Sequence, residues 1–172
     1  MRLSALNHLV AAVRALAQCE SVTVLGSAAL LGTSAALGEP GGPLETTRDA
    51  DLLLAPVDAA LAAIIHEALG EGSLFDERYG YHVDLLRPDI LTTLPTGWQT
   101  RLVPVANAQA LSAFDVAVVK LFVGRAKDLA VVSVLLREAL VSGDALAEAI
   151  MAAPAAERDR RAAMQRLQQL RA

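Results

Sequence analysis

The chain has 172 residues, enough for one sizeable hydrophobic core, and this length excludes a large multidomain enzyme. Its 19 acidic and 15 basic residues give a net charge of -4, so nucleic acid would not be recruited by bulk electrostatics. Hydrophobic residues make up 54%, but no uncharged apolar run approaches the roughly 20 residues that span a membrane. A single cysteine, Cys19, excludes intramolecular disulfides and cysteine-ligated metal clusters, and 3% aromatic residues are too few for a base-stacking platform. We therefore expect a soluble, cytoplasmic protein with no membrane partner.

The first half of the sequence predicts alternating helices and strands. Apolar residues recur at helical spacing near the start, β-branched residues follow, and a segment with three glycines and two prolines marks a loop over residues 38–43. The predicted elements are a helix over residues 3–18, a strand over 21–25, a helix over 28–37, a strand over 51–55 and a helix over 57–69. Residues 74–78 and 81–87 are predicted to form a two-stranded hairpin in which His82 and Asp84 share one face.

The second half of the sequence is predicted to be mainly helical. One more strand is expected over residues 101–106, and Ser112 with Asp115 begins a helix with a capping-box-like pattern. Further helices are expected through Leu121, over 128–140, over 144–151 and from Pro154 onward, the last ending in an arginine-rich face that is either solvated or an RNA-binding arm. The fold class is therefore α+β, with an α/β core over residues 1–110 and a helical region over 111–172 packed on the same core.

The first candidate site feature is the turn that follows the first predicted strand. Gly26 and Ser27 end that strand and open a predicted helix, whose N-terminal N–H groups would favour an anion such as phosphate. An ordinary strand-to-helix turn has the same sequence pattern.

The second feature is a set of aspartates on predicted strands. Asp49 and Asp51 are two positions apart, so they lie on one face of a strand, where two carboxylates need compensation and suit Mg²⁺. Asp84 is an isolated acid in an otherwise apolar strand. If its face meets the pair, it completes a three-carboxylate metal site beside an attacking hydroxyl; otherwise it faces solvent.

The third feature is the placement of the lysines. Thirteen of the fifteen basic residues are arginines, and the two lysines, Lys120 and Lys127, lie seven apart with Arg125 between them and Asp128 adjacent. This concentration suggests that point charges are needed there, as at the phosphates of a nucleotide, although chance would produce it too. If Gly124 breaks the helix, Lys127 starts a new one.

These features together resemble a known family. The order Gly26-Ser27, Asp49-x-Asp51 and Asp84 is similar to the core pattern of the DNA polymerase β-type nucleotidyltransferase superfamily. Three further segments resemble an uncharacterised bacterial family of nucleotidyltransferase-like proteins, related to the toxin subunits of abortive-infection toxin–antitoxin systems. These segments are Leu94-Pro-x-Gly-Trp98 with Arg101-Leu102, Asp115-x-Ala-x-x-Lys120 and Gly124-Arg-x-Lys-Asp128.

The resemblance implies a nucleotidyltransferase-like mixed sheet flanked by helices and a Mg²⁺-dependent transfer of a nucleoside monophosphate from an NTP to an acceptor hydroxyl. It implies that Gly26, Ser27, Arg125 and Asp128 bind the nucleotide. It also implies that Asp49, Asp51 and Asp84 hold Mg²⁺ and, with Lys120 and Lys127, form the catalytic set. The acceptor would be RNA, such as a tRNA end, or a protein, and the chain would be the toxin of a toxin–antitoxin pair.

The sequence departs from the family pattern in two places. The interval between Ser27 and Asp49 is longer than usual because of the loop over residues 38–45, which would cover or displace the site. The toxin relatives carry a further aspartate where this chain has Val131 and Val132. The alternative is therefore a non-catalytic nucleotide-binding or interaction module that keeps the fold and acts through a partner such as an antitoxin. Alanine-rich helix faces would also allow two copies to pair.

Overall fold

A five-stranded mixed sheet flanked by helices forms the centre of the computed structural model, which describes residues 1–171. The strands are β1 (Ser21–Val24), β2 (Asp49–Ala55), β3 (His82–Leu85), β4 (Val103–Val105) and β5 (Ala108–Ala110). Their order in the sheet is β3-β2-β1-β5-β4. The β2/β3 and β1/β5 pairs are parallel, and the β1/β2 and β4/β5 pairs are antiparallel. This mixed arrangement agrees with the predicted α+β class.

Within residues 1–171, seven α-helices surround the sheet. They are α1 (Leu3–Leu16), α2 (Ala59–Leu69), α3 (Leu74–Tyr79), α4 (Ala113–Val123), α5 (Ala126–Arg137), α6 (Gly143–Ala152) and α7 (Glu157–Arg171). Side-chain caps set several of their starts: Asp58 accepts a hydrogen bond from Leu61 N, and Ser112 accepts one from Asp115 N, as its sequence pattern predicts. Within residues 1–171, no helix is both long and apolar enough to cross a bilayer.

The predicted hairpin over residues 74–87 is wrong in its first half. Residues 74–78 lie in the helix α3, because the Ser73 side chain accepts a hydrogen bond from Asp76 N and so caps the first turn. Gly80 ends this helix in the left-handed conformation, with φ of +77°. The second half is confirmed, since His82–Leu85 is β3, but it pairs with β2 rather than with a hairpin neighbour.

Several other predicted boundaries shift by two or three residues, and three further differences are larger. The helix expected over residues 28–37 is two short 3₁₀ helices, Ala28–Gly32 and Ala35–Gly38. The strand expected over 101–106 is β4, which a two-residue turn joins to an unpredicted β5; Ala106 and Asn107 in that turn both have positive φ. The last helix begins at Glu157 rather than at Pro154.

The buried hydrophobic side chains form one cluster that joins the sheet to the helices. It includes Leu9 of α1, Leu52 of β2, Leu121 of α4 and Leu167 of α7. The last strand ends at Ala110, and α4 to α7 contribute to the same cluster. The final residue of the helical region predicted over 111–172, Ala172, lies outside the described residues.

A contact between α7 and α4 closes the C-terminal end of α4. The Arg166 guanidinium donates hydrogen bonds to the carbonyl oxygens of Leu121 and Phe122, at 2.7 and 2.9 Å. These carbonyls belong to the last turn of α4, which has no helical partner for them. Gly124 follows with φ of +73°, and a side chain there would collide with the Arg166 guanidinium. Arg166 therefore holds the turn between α4 and α5.

Candidate functional site

The turn after β1 brings the first and second strands into close contact. Leu25 N donates a hydrogen bond to the carbonyl oxygen of Asp51 at 2.8 Å. Gly26 has φ of +56°, and a Cβ atom there would occupy the space of the Asp51 carboxylate. Only glycine is compatible with both constraints, so Gly26 allows the Asp51 carboxylate to approach the backbone of the turn.

Ser27 does not open the α-helix that the anion argument required. The element after it is a five-residue 3₁₀ helix, which is too short to provide a helix dipole. Positive charge reaches the turn from α4 instead: Lys120 Nζ donates a hydrogen bond to Ser27 Oγ at 2.9 Å. Any anion held here would depend mainly on that ammonium group.

The three predicted carboxylates lie on one face of the β2/β3 pair. Asp51 is in register with Asp84, and Asp49 is in register with His82. In β2, Asp49 and Asp51 alternate with the buried Ala50 and Leu52, so the two acids point to the opposite face of the strand. The common face expected for Asp49 and Asp51, and for His82 and Asp84, is confirmed by this register.

A cavity of about 290 Å³ collects the predicted residues from four parts of the chain. We call it the anion cavity. Its lining consists of Gly26, Ser27, Pro43, Thr46, Thr47, Asp49, Asp51, Asp84, Lys120, Arg125, Lys127 and Val131. Acidic side chains from the sheet therefore face basic side chains from α4 and from the start of α5.

Asp51 is the carboxylate with the most unfavourable surroundings. Burial raises its pKa to about 6, and the charges of Asp49 and Asp84 add to the effect, against opposing contributions from Lys120 and Arg125. In the part of the chain from 1 to 171, Asp51 forms no side-chain hydrogen bond or ion pair with a protein group. A cation at this carboxylate would replace the missing compensation.

On the opposite wall, one buried carboxylate holds two cations. Lys120 Nζ donates to Asp128 Oδ1 at 2.7 Å, and Arg125 Nε donates to Asp128 Oδ2 at 2.6 Å. The side chains of Lys120 and Asp128 are only 8% and 1% exposed. Burial alone would raise the pKa of Asp128, but the hydrogen bonds from Arg125 and Lys120 hold it below its usual value.

The two oxygens of Asp128 accept hydrogen bonds from Lys120 and Arg125 and so position both cations. Within residues 1–171 Asp128 is not part of the lining of the anion cavity, and its contact with a nucleotide stays a prediction. Arg125 and Lys127 are exposed at the cavity, where each can contact a ligand. Gly124 ends α4, so Lys127 lies on a second helix, yet both lysines line the same cavity.

The oxygen donors of the anion cavity suit Mg²⁺ if they supply only part of its coordination. Within residues 1–171, no three His, Cys, Asp or Glu side chains are grouped closely enough to hold a metal ion by themselves. Mg²⁺ usually binds one or two carboxylates and completes its octahedron with water and phosphate oxygens. Asp49 and Asp51, with hard oxygen donors in the same cavity, match that requirement, and Asp84 lies beside Asp51 on the next strand.

The loop that lengthens the interval between Ser27 and Asp49 forms part of the cavity wall. Pro43, Thr46 and Thr47 line the anion cavity. Leu44 anchors the loop, since its side chain is fully buried and its N–H donates to Leu37 O at 3.0 Å. The loop is therefore anchored as one wall of the cavity that the carboxylates line.

Val131 and Val132 of α5 are both buried in the core, and Val131 also lines the anion cavity. The segment Leu94 to Asp115 has a supporting role. Arg101 donates hydrogen bonds to the fully buried Asp115 and to Thr96 O, which fixes the start of α4.

Sequence analysis missed a cluster beside the carboxylates. Asp76 accepts hydrogen bonds from Arg48 Nη2 at 3.0 Å and from Gly72 N at 3.1 Å, and His82 Nδ1 lies 3.1 Å from the same carboxylate. This cluster fixes His82 next to Asp49. The one available signal was Ser73-x-x-Asp76, a helix-capping pattern that the strand prediction overrode.

Comparison of the chain with protein-family models, with curated proteins and with solved structures gives no match.

Proposed function

We propose that this protein is a Mg²⁺-dependent nucleotidyltransferase that transfers a nucleoside monophosphate from an NTP to an acceptor hydroxyl. The observation that carries the proposal is the anion cavity, where Asp49, Asp51 and Asp84 face Lys120, Arg125 and Lys127. The mixed sheet with helices on its faces supports it as well, since this is the architecture that the resemblance implies.

The charges of the cavity suit a metal-bound polyphosphate. Lys120 and Arg125 share the single carboxylate of Asp128, which leaves one net positive charge, and Lys127 adds a second. The opposite wall carries three carboxylates, of which Asp51 is poorly compensated. A triphosphate against the cationic wall and a divalent cation against the acidic wall would satisfy both.

Each residue then has a role in the transfer. Gly26 and Ser27 would contact the β- and γ-phosphates, and Lys120, Arg125 and Lys127 would neutralise the leaving pyrophosphate. The acceptor oxygen forms a bond to the α-phosphorus while the bond from that phosphorus to the bridging oxygen breaks. Asp84, which is exposed beside Asp51, would accept the proton of the acceptor hydroxyl. Bound Mg²⁺, held by Asp49 and Asp51, would supply charge neutralisation at the phosphates.

The resemblance to toxin nucleotidyltransferases gives the order in which acceptors should be tested. RNA, beginning with tRNA ends, comes first, and protein hydroxyls follow. An antitoxin protein is the partner that this assignment would imply.

The experiment is transfer of an α-labelled NTP to total RNA or to lysate protein, with and without Mg²⁺, for the unmodified chain and Asp51→Asn. We expect labelled product only from the unmodified chain with Mg²⁺. Glu148→Gln, an exposed acid on α6, is the control and should leave transfer unchanged. Equal transfer by Asp51→Asn would refute the metal assignment.

A non-catalytic nucleotide-binding module is the second candidate. It is favoured by one observation: Val131 lines the anion cavity near the position where the toxin proteins of the resemblance carry a further aspartate. NTP binding with no pyrophosphate release over several hours would support this candidate against the enzyme.

A further inference from the structure

A second cavity, of about 200 Å³, lies next to the anion cavity and has a different character. We call it the apolar pocket. Its walls come mainly from aliphatic side chains of α4 and of the segment after β3, namely Leu86, Ile90, Leu94, Val116, Val119 and Val123. None of these residues belongs to the set that the sequence singled out for chemistry.

The two cavities adjoin and share part of their walls. Gly26, Asp51, Lys120 and Arg125 line both of them. A ligand that places an anionic end among Lys120, Arg125 and Lys127 can therefore extend past Asp51 into the apolar pocket. This requires a molecule with a polyanionic part joined to a compact apolar part.

The apolar pocket offers little hydrogen bonding. Thr93 is the one lining residue with an uncharged polar side chain among the described residues, and its side chain is exposed. Of the charged residues in its lining, Lys120 and Asp128 are already bonded to each other, and the proposed function assigns Asp51 to Mg²⁺ and Arg125 to the phosphates. Contact with aliphatic walls, rather than paired donors and acceptors, would then hold the occupant.

We propose that the apolar pocket holds the base of the nucleotide whose phosphates occupy the anion cavity, and that it selects the base by size and not by its hydrogen-bonding edge. This inference rests on the proposed function. A purine has the larger apolar face and buries more of it, so purine nucleotides bind more tightly than pyrimidine nucleotides.

The expected selectivity is small. A pocket that distinguishes two ligands by apolar contact alone discriminates between them by about 10- to 200-fold. A site that forms a hydrogen bond to a polar group of only one ligand discriminates by about 10⁴-fold or more. Binding of ATP, GTP, CTP and UTP should therefore differ by less than about 200-fold, with the two purines ahead.

The test compares NTPs with inorganic tripolyphosphate, which has the charge but no base, by isothermal calorimetry in the presence of Mg²⁺. We expect ATP to bind at least about 10-fold more tightly than tripolyphosphate. In Val123→Trp the indole should fill the pocket from a position that is half exposed, so that folding is retained. Its affinity for ATP should fall to that for tripolyphosphate, which should itself be unchanged.

Met151→Trp, a matched substitution at an exposed apolar residue of α6, should leave both affinities unaltered. Val119→Phe provides a second, smaller obstruction of the same pocket. The inference is overturned if ATP and tripolyphosphate bind equally to the unmodified chain, if Val123→Trp and Val119→Phe keep full ATP affinity, or if one NTP exceeds the others by more than about 10³-fold. In those cases tripolyphosphate still binds and the proposed function survives. Failure of every polyphosphate to bind would refute both.

Discussion

Neighbouring pairs in the β2/β3 ladder place acidic side chains in opposite electrostatic settings. Where Asp49 pairs with His82, the nearby Asp76 receives hydrogen bonds from Gly72 and Arg48 and contacts His82. The hydrogen bond from the Gly72 N–H, followed by that from His82, lowers the pKa of Asp76 below its usual value. Two residues further along, Asp51 pairs with Asp84, and burial raises the pKa of Asp51 to about 6.

We expect the difference to separate a structural carboxylate from a functional one. Asp76 stabilises the fold because its charge has partners within the protein. Asp51 forms no hydrogen bond or ion pair among residues 1–171, and Lys120 and Arg125 offset only part of its burial. Carboxylates in such surroundings cluster at functional sites. The contrast is open to direct measurement, because the two acids can be replaced by the same isosteric amide.

The largest expected difference is in activity. Asp51→Asn should lower nucleotidyl transfer at least about 100-fold, because loss of a metal ligand removes several kcal/mol of transition-state stabilisation. Asp76→Asn should keep transfer within about 10-fold, since it acts only by supporting His82. Initial rates at saturating Mg²⁺ measure both variants, and equal losses would erase the distinction between the two acids.

The second prediction concerns the stability that comes from the buried ion pairs opposite Asp51. Asp128→Asn should destabilise the fold by about 3–5 kcal/mol, because it leaves the Lys120 ammonium buried without its counter-ion. The double variant Lys120→Met, Asp128→Leu should recover most of the lost stability, but it should show no nucleotidyl transfer. Urea denaturation measures the free energies of unfolding. A single variant as stable as the unmodified chain would contradict the charge pairing.

A smaller effect is the pH dependence contributed by Asp51 in the absence of metal. The pKa of Asp51 is 3.8 in the unfolded chain and about 6 in the folded protein, so the folded state binds the proton more tightly. The stability that this proton contributes is therefore lost as pH rises through about 6. Relative to Asp51→Asn, the unmodified chain should lose about 1.4 kcal/mol between about pH 5 and pH 8. Denaturation curves at several pH values test this, and a constant difference would disprove the raised pKa.

The smallest predicted effect has the opposite sign. Because the pKa of Asp76 is lowered, its contribution to stability is present above the unfolded value of 3.8 and is lost as pH falls through the folded value. Asp76→Asn should therefore be less stable than the unmodified chain at neutral pH, and the gap should close in acid. Thermal melting across that range provides the measurement; a gap that widens in acid would contradict the assignment.

Local patterns in the sequence predicted the acidic face correctly. The two-residue spacing of Asp49 and Asp51 requires a common face in any strand, and the isolated Asp84 between apolar residues fits the neighbouring strand. The order of these residues along the chain was enough to group them. Gly26 was also identified, but the reason it must be glycine, the approach of the Asp51 carboxylate, depends on a contact between strands.

Other features depend on contacts that local patterns do not encode. Residues 74–78 were predicted to be a strand, yet the Ser73 cap and the contacts of Asp76 make them a helix. β5 has only three residues and follows a turn in which two non-glycine residues have positive φ. A strand this short has no alternating pattern in the sequence from which it could be predicted. The apolar pocket could not be predicted from local patterns either, because its walls come from segments that are separate in sequence.

The hydrogen bonds from Arg166 to the end of α4 connect the last helix to the cavity. The turn they hold, at Gly124, immediately precedes Arg125, and α4 itself carries Lys120. A protein that bound α7 and drew Arg166 away would therefore loosen two of the cavity's three cationic side chains without touching the nucleotide. A surface remote from the phosphates would in this way provide an inhibitor with a route to the site.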